Sequence, residues 1–364
     1  MKKVLLVTMY GVSNFGNRLQ SFALSKTLEG LNFDVETFKP IKKKDVFSDI
    51  KLILKFFLKK DYSFFRKKMF TEFNNSFIVF KNIDISIDKI SVLNNHFDYF
   101  IVGSDQVWNY HYLDECSYDG GYNYFLLEDV DNCKRISYSS SFGVSEIKSN
   151  LDKYKEEFLK FKCLSTREES GRKIIENLTS RNDITVNVDP TMLLTNKEWE
   201  KVIKKPKFKI PDNYILLYFL GDISNDKMSE IVEFANKFNY SIINLLDKKS
   251  KFYGIGPSEF LYLEKNAKLI LTDSFHSSVF SLIFNVPFII YNRMNDAEKT
   301  NTRLENFVNK FKLYDRIYIN DNSISDYLVF NYSEAYKILN YERKKSFSYL
   351  KCALDIKGCE NNEE

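Results

Sequence analysis

The chain opens with a continuous apolar run, KVLLVTMY at 3–10, of the kind that forms a strand buried on both faces. A Gly/Ser/Asn turn follows, and then NRLQSFALSKTLEGL, where Leu19, Phe22, Ala23 and Leu28 fall at helical spacing before Gly30 stops the helix. DVETFKP at 34–40 predicts the next strand, so the first forty residues make a βαβ unit that crosses over right-handedly and pairs in parallel. The rhythm continues: FDYFIVGSD (97–105), KRISYSSSFG (134–143), CLSTREES (163–170) and ITVNVDP (184–190) read as strands, with helices such as LDKYKEEFLKF between them. Such alternation specifies a doubly wound parallel sheet.

At 204–213 the stretch KKPKFKIPDN has two prolines, several lysines and no apolar periodicity, which marks a linker. A second alternating series follows, with strands at 214–221, 240–246, 267–273 and 286–292 and helices near 226–238, 258–266 and 276–284. The expected organisation is an α/β fold of two Rossmann-like lobes with parallel sheets. Residues 1–205 form the first lobe with a helical insertion at 41–96, and 206–330 form the second. Residues 331–364 form a closing helix, packed across both lobes, and a frayed tail at 360–364. Within the insertion, residues 46–77 are helical, basic and aromatic, interleaving Lys51, Lys55, Lys59, Lys60, Arg66, Lys67 and Lys68 with Phe56, Phe57, Phe64 and Phe65. Two readings stand: a helical excursion packing its aromatics on the first lobe, or a peripheral contact with an anionic membrane surface.

Length and composition agree with two globular cores, since 364 residues exceed what one core usually fills, and 44% hydrophobic with 28% charged residues is ordinary for a folded protein. A net charge of +4 over 53 basic and 49 acidic residues is too balanced to announce nucleic acid, while a small anionic substrate fits. The five cysteines, Cys116, Cys133, Cys163, Cys352 and Cys359, lack the paired spacing of a zinc site, which suits a reduced cytoplasmic protein. The apolar start is too short for a signal peptide core, and no stretch reaches the roughly 18 apolar residues of a membrane span.

Polar residues gather where strands end, and ligands in open parallel sheets bind outside the carboxyl ends of strands. In MYGVSNFGNRLQ (9–20), Asn14, Asn17 and Arg18 are binding candidates at a helix start, although a purely structural turn is an equal reading. YFIVGSDQVWN (99–109) offers Ser104 and Gln106 for substrate and Asp105 to orient or deprotonate a sugar hydroxyl, with a capping role as its alternative; Trp108 fits the core. Arg167 emerges after the strand at 163–166 and can grip phosphate or carboxylate, or pair with Glu168 and Glu169. Asp189, in an Asp-Pro step, reads as a turn residue. The segment LILTDSFHSSVFSLIFNVPFII (269–290) carries the strongest signal: His276, one of three histidines, sits at a helix start as a general acid or base, flanked by Ser274 and Ser277 as substrate-binding candidates.

Taken in order, these segments resemble the polysaccharide pyruvyl transferase family. Asn14, Gly16 and Asn17 match its N-terminal loop, and further matches are GSDQVWN (103–109), the block at Ser165, Arg167, Glu168 and Ser170, VDPT (188–191) and TDSFHSSVFSLIFNVPF (272–288). The resemblance implies a GT-B-like fold with the active site in the interlobe cleft. It also implies transfer of a pyruvyl group from phosphoenolpyruvate onto a sugar or lipid-linked oligosaccharide, forming a ketal in bacterial surface or capsular exopolysaccharide biosynthesis. Neither metal nor resident cofactor is required, and phosphoenolpyruvate is the donor substrate. Carried over by position, His276 is the acid or phosphate-side residue, Arg167 a donor clamp and Asp105 the base. Many members place an arginine two residues before the motif histidine, where this chain has Ser274. Arg303, with Arg293 as the other candidate, is expected to supply that charge from a helix following TNTR. A GT-B-like glycosyltransferase using a nucleotide sugar is the competing activity, and a non-catalytic glycan-binding protein a third.

Overall fold

The computed structural model describes residues 1–11, 13–41, 46–84, 89–111, 124–293, 297–320 and 322–356. The expected frayed tail and two of the cysteines, Cys116 and Cys359, lie outside the described residues. In the first lobe, β1 (Lys3–Val7), β2 (Asp34–Pro40), β3 (Phe80–Ile83), β4 (Tyr99–Val102) and β5 (Arg135–Ser137) form a parallel sheet in the order β3-β2-β1-β4-β5. Isolated bridges Ile136–Cys163 and Ser140–Thr166 continue it towards a two-stranded sheet of β6 (Ser165–Thr166) and β7 (Thr185–Val186). In the second lobe, β8 (Tyr214–Tyr218), β9 (Ser241–Asn244), β10 (Leu269–Thr272) and β11 (Phe288–Ile290) pair in parallel as β11-β10-β8-β9.

The helices are α1 (Phe15–Gly30), α2 (Val46–Lys59), α3 (Ser63–Phe77), α4 (Leu151–Leu159), α5 (Glu169–Thr179) and α6 (Asn196–Glu200) up to the linker. Beyond it come α7 (Asn225–Lys237), α8 (Pro257–Asn266), α9 (Phe275–Phe284), α10 (Ala297–Phe311) and α11 (Ser333–Ala353). β4, β8 and β10 are buried along their whole length and β1 from Val4 on, which is why these strands read as unbroken apolar runs.

Two expectations are corrected. The insertion at 41–96 is not wholly helical, because Phe80–Ile83 pairs with Thr37–Pro40 and makes the sheet edge. The strand expected over 134–143 ends at Ser137, since Ser139 turns into the left-handed region at φ 50° and redirects the chain.

The lobes share packing. Phe15 at the start of α1 stacks on Phe260 of α8, with centroids 4.4 Å apart and planes inclined by 13°. Helix α11 touches both lobes: Tyr336 donates its hydroxyl proton to the Leu282 carbonyl at 2.7 Å, while Tyr349 donates to Ser137 O at 2.7 Å and Arg343 Nε to Met192 O at 2.7 Å.

Arg66 on α3 is a second tie. Its guanidinium donates to Ser13 O from Nε and Nη2 at 3.0 and 2.7 Å and to Tyr253 O from Nη1 at 3.1 Å. It lies 4.2 Å from the Phe15 ring centroid and 4.6 Å from that of Tyr253. One buried side chain thus joins the insertion, the loop before α1 and the second lobe. Truncating it removes three charge-assisted bonds and three cation–π contacts, the third with Phe70 at 5.5 Å, and Arg66→Ala is expected to cost about 3 kcal/mol in urea unfolding. A loss below about 1 kcal/mol would show that the tie is ornamental.

Candidate active site

The carboxyl ends of β4, β6 and β7 in the first lobe meet that of β10 in the second, and Asp189 stands at the junction. Its Oδ1 accepts from Thr191 N at 3.0 Å and Thr191 Oγ1 at 2.7 Å, which caps a short 3₁₀ turn at Pro190–Met192. Its Oδ2 accepts from Ser104 Oγ at 2.8 Å and Arg167 Nη1 at 3.0 Å, and lies 3.6 Å from His276 Nε2. Burial alone would raise this carboxyl's pKa. The opposing charges of His276 and Arg167 and the Thr191 amide outweigh burial, so it stays ionised, well below the usual carboxylate range.

Arg167 is buried and leans over the Phe275 ring at 4.8 Å. Burial disfavours its charge, but Glu168, Asp189 and Asp105 more than compensate and raise its pKa. Glu168 is itself buried, accepting from Ser141 Oγ at 2.5 Å and lying 3.4 Å from Arg167 Nε. Arg167 Nη2 is buried with no acceptor among the described residues.

Asp105 sits in the left-handed region at φ 73°, a conformation that Asp tolerates better than most residues and that sharply turns the chain after β4. The turn lets its carbonyl accept from Val107 N at 2.8 Å and Ser141 N at 3.0 Å. Its carboxylate accepts from Gln106 N at 2.9 Å and Asn17 Nδ2 at 3.2 Å. Burial pushes its pKa up, but Arg167, His276 and Arg303 together hold it down. Gln106 packs against Gly143, whose φ of +67° and missing Cβ leave room for that side chain. With its amide oxygen turned towards α10, Gln106 accepts from Arg303 Nη1 and Nη2 at 3.2 and 2.9 Å. Burial, then the neighbouring Arg167 charge, pushes Arg303 down to about 10, and its Nε has no acceptor among the described residues.

His276 is the second residue of α9, and its Nε2 is buried without a hydrogen bond among the described residues. Its ring lies flat against the start of α1: a Cβ on Gly16 would fall 2.0 Å from His276 Nδ1. Glycine is therefore the residue that lets the two lobes close around this imidazole. A cavity of about 320 Å³ opens beside the cluster, lined in part by Arg167, Asp189, Phe275, Arg303, Phe307 and Phe311.

Asn17, Ser104, Asp105, Gln106, Arg167, His276 and Arg303 thus converge. The other sequence candidates have different partners. Asn14 caps α1 by accepting from Asn17 N at 3.1 Å. Arg18 donates to Met9 O and to Asn17 Oδ1, orienting the asparagine that meets Asp105. Ser277 is fully buried and donates to Glu264 at 2.6 Å. Ser274 holds the N-cap position of α9 without a side-chain capping bond, its amide donating to Thr272 Oγ1 at 2.9 Å. Arg293 pairs with Asp273 at 2.9 Å. Arg303 lies inside α10, as its seventh residue, rather than ahead of a helix as the TNTR pattern suggested. Sequence reasoning passed over Asp189 and Glu168 as site groups; the only signal was their presence in the VDPT and Ser-x-Arg-Glu-x-Ser blocks.

The sequence profile of the polysaccharide pyruvyl transferase family matches residues 14–295. The chain belongs to that family. Every converging residue except Arg303 lies within the matched span of this pyruvyl transferase family member. No curated protein sequence matches it significantly. Among solved structures it is similar to a protein from Listeria monocytogenes described as a UDP-N-acetylglucosamine 2-epimerase, with TM-score 0.53 and 11% identity over 99% of this chain and 98% of that one. A UDP-N-acetylglucosamine 2-epimerase from Rickettsia bellii gives TM-score 0.53 and 11% identity, covering 98% and 97%. At such identity these likenesses show the fold: two Rossmann-like lobes of GT-B type.

Removing the Asp189 charge leaves Arg167 buried beside an unpaired site, and Asp189→Asn is expected to lose about 3 kcal/mol of unfolding free energy at pH 7. Because the folded-state pKa is depressed, this contribution is fully present above the unfolded carboxylate value of about 4 and fades as pH falls below it. Urea unfolding from pH 7 to pH 3 should therefore show the gap between wild type and Asp189→Asn narrowing; a gap that stays constant or widens contradicts the assignment.

Proposed function

We propose that this protein transfers a pyruvyl group from phosphoenolpyruvate onto a sugar, closing a cyclic ketal across two hydroxyls of a bacterial surface or capsular polysaccharide precursor in the cytoplasm. The observation that supports this reading is a pair of buried guanidinium N–H groups, Arg167 Nη2 and Arg303 Nε, that have no acceptor among the described residues and stand in one charged cluster. Buried donors of that kind are costly unless an anion meets them, and phosphoenolpyruvate carries both a carboxylate and a phosphate.

In this reading Arg167 and Arg303 grip the donor, and Arg303 supplies from α10 the charge that other members carry at the position of Ser274. His276, held beside the ionised Asp189, delivers a proton to the donor's methylene carbon and leaves C2 cation-like. A first sugar hydroxyl adds to C2 as its proton passes to Asp105. The bond from C2 to the phosphate oxygen then breaks, and a second hydroxyl adds to C2. One hydroxyl proton is balanced by the new methyl hydrogen and the other leaves on the phosphate. Asp105 is suited to the base role because its neighbours keep it ionised while only two hydrogen bonds occupy its carboxylate.

The test is phosphate release from phosphoenolpyruvate with galactose-, mannose- and N-acetylmannosamine-containing lipid-linked acceptors, with mass spectrometry for the ketal. His276→Ala should lower kcat by roughly 10²–10⁴ with little change in donor affinity. Arg303→Ala should raise the KM for phosphoenolpyruvate by about tenfold or more. No release with any acceptor, together with binding of a nucleotide sugar, would favour a glycosyltransferase instead.

A further inference from the structure

Helix α2 presents an apolar stripe that is exposed among the described residues. Ile50, Ile53, Leu54, Phe57 and Leu58 recur at i, i+3, i+4, i+7 and i+8, and their exposures are 48, 36, 51, 75 and 79%. The opposite side of the helix is partnered: Phe56 packs edge-on against Tyr62 at 5.2 Å and Phe65 at 4.9 Å, and Asp49 pairs with Lys67 at 2.5 Å. The two halves of the insertion therefore differ. Phe70 and Phe73 of α3 are buried in the main core, whereas the stripe of α2 faces outward. Five large side chains on one exposed helical face are more than scattered surface apolarity.

Charge identifies what fits this face. Lys51, Lys55 and Lys59 form an i, i+4, i+8 row along one flank, Lys60 follows, all four are exposed, and no acidic residue lies between Ile50 and Lys60. A helix with an apolar stripe about 12 Å long beside a lysine row is built to lie flat at the boundary between headgroups and acyl chains. An antiparallel second copy docked through the same stripe would instead set two lysine rows side by side, which repels.

We infer that α2 is a docking helix for an anionic lipid bilayer, with Ile50, Ile53, Leu54, Phe57 and Leu58 inserted among the acyl chains and Lys51, Lys55 and Lys59 against the headgroups. Among the described residues no helix is long and apolar enough to cross a membrane, so this contact is peripheral. The helix is coupled to the site through its neighbour: α3 carries Arg66, which holds the Ser13 carbonyl just ahead of α1 and Asn17. A bilayer seated on α2 would thus sit at a fixed orientation to the interlobe cleft. The inference stands apart from the proposed chemistry, because its test needs no turnover.

The experiment is cosedimentation of the full chain with vesicles of phosphatidylglycerol and phosphatidylcholine, and with phosphatidylcholine alone. Wild type is expected to partition onto the anionic vesicles and much less onto the neutral ones. Phe57→Ser with Leu58→Ser should reduce partitioning at least tenfold, since each removes a large inserted side chain. Lys51→Glu, Lys55→Glu and Lys59→Glu together should also lose at least tenfold, each lysine near an anionic leaflet contributing roughly a fivefold factor. Both variants change only exposed positions, and their thermal unfolding should match wild type. Equal binding by wild type and variants, or no binding of wild type to anionic vesicles, would overturn the inference. So would a lipid-free wild-type dimer in analytical ultracentrifugation that Phe57→Ser with Leu58→Ser dissolves.

Discussion

Everything around the cleft depends on keeping one carboxylate, that of Asp189, ionised in the interior. An isolated buried charge is untenable, so it must collect partners. It collects Thr191 from its own turn, Ser104 from the end of β4, Arg167 from the end of β6 and His276 from the other lobe. Each partner is consequently fixed: the arginine has Nη1 engaged by Asp189 and Nε by Glu168, with Nη2 left over, and the histidine lies 3.6 Å from the carboxylate. The same electrostatic requirement that stabilises the fold thus leaves an unpaired donor on Arg167, a residue that lines the cavity.

The lobes must also stay close enough for that pairing to exist. Gly16 allows the α1 start to lie against His276, Arg66 joins Ser13 to Tyr253, and α11 runs from the second lobe back to the β5–β7 region of the first. These contacts are made by backbone carbonyls and buried rings rather than by surface ion pairs, so salt screens them little. Asp105 shows the local cost of the arrangement, a left-handed backbone held by two hydrogen bonds to its carbonyl.

Much of this was legible in the residues. Unbroken apolar runs identified the central strands, and polar residues at their ends identified Ser104, Asp105, Arg167 and His276, because parallel sheets direct those ends to a ligand. What was illegible depended on distant partners. FKNI at 80–83 has no strand signature and becomes one only by pairing with β2. Asp189 in an Asp-Pro step looks like a turn residue, and it is one through Oδ1; its second role needs Arg167 and His276, 22 residues upstream and in the other lobe. Ser277 lies beside the motif histidine, yet helical periodicity turns it towards Glu264 instead.

The central claim is that one guanidinium serves two masters, pairing with Asp189 through Nη1 and meeting the donor anion through Nη2. Arg167→Lys separates the two, since a lysine can keep the charge pair but cannot present a second, divergent N–H in the same plane. The most direct measurement is calorimetric titration of wild type and Arg167→Lys with phosphoenolpyruvate, with thermal unfolding of both as the control. The expected result is a folded variant whose affinity for phosphoenolpyruvate is at least tenfold weaker. Unchanged affinity in a folded variant would contradict the claim, and would leave Arg167 as a partner of Asp189 and Glu168 only.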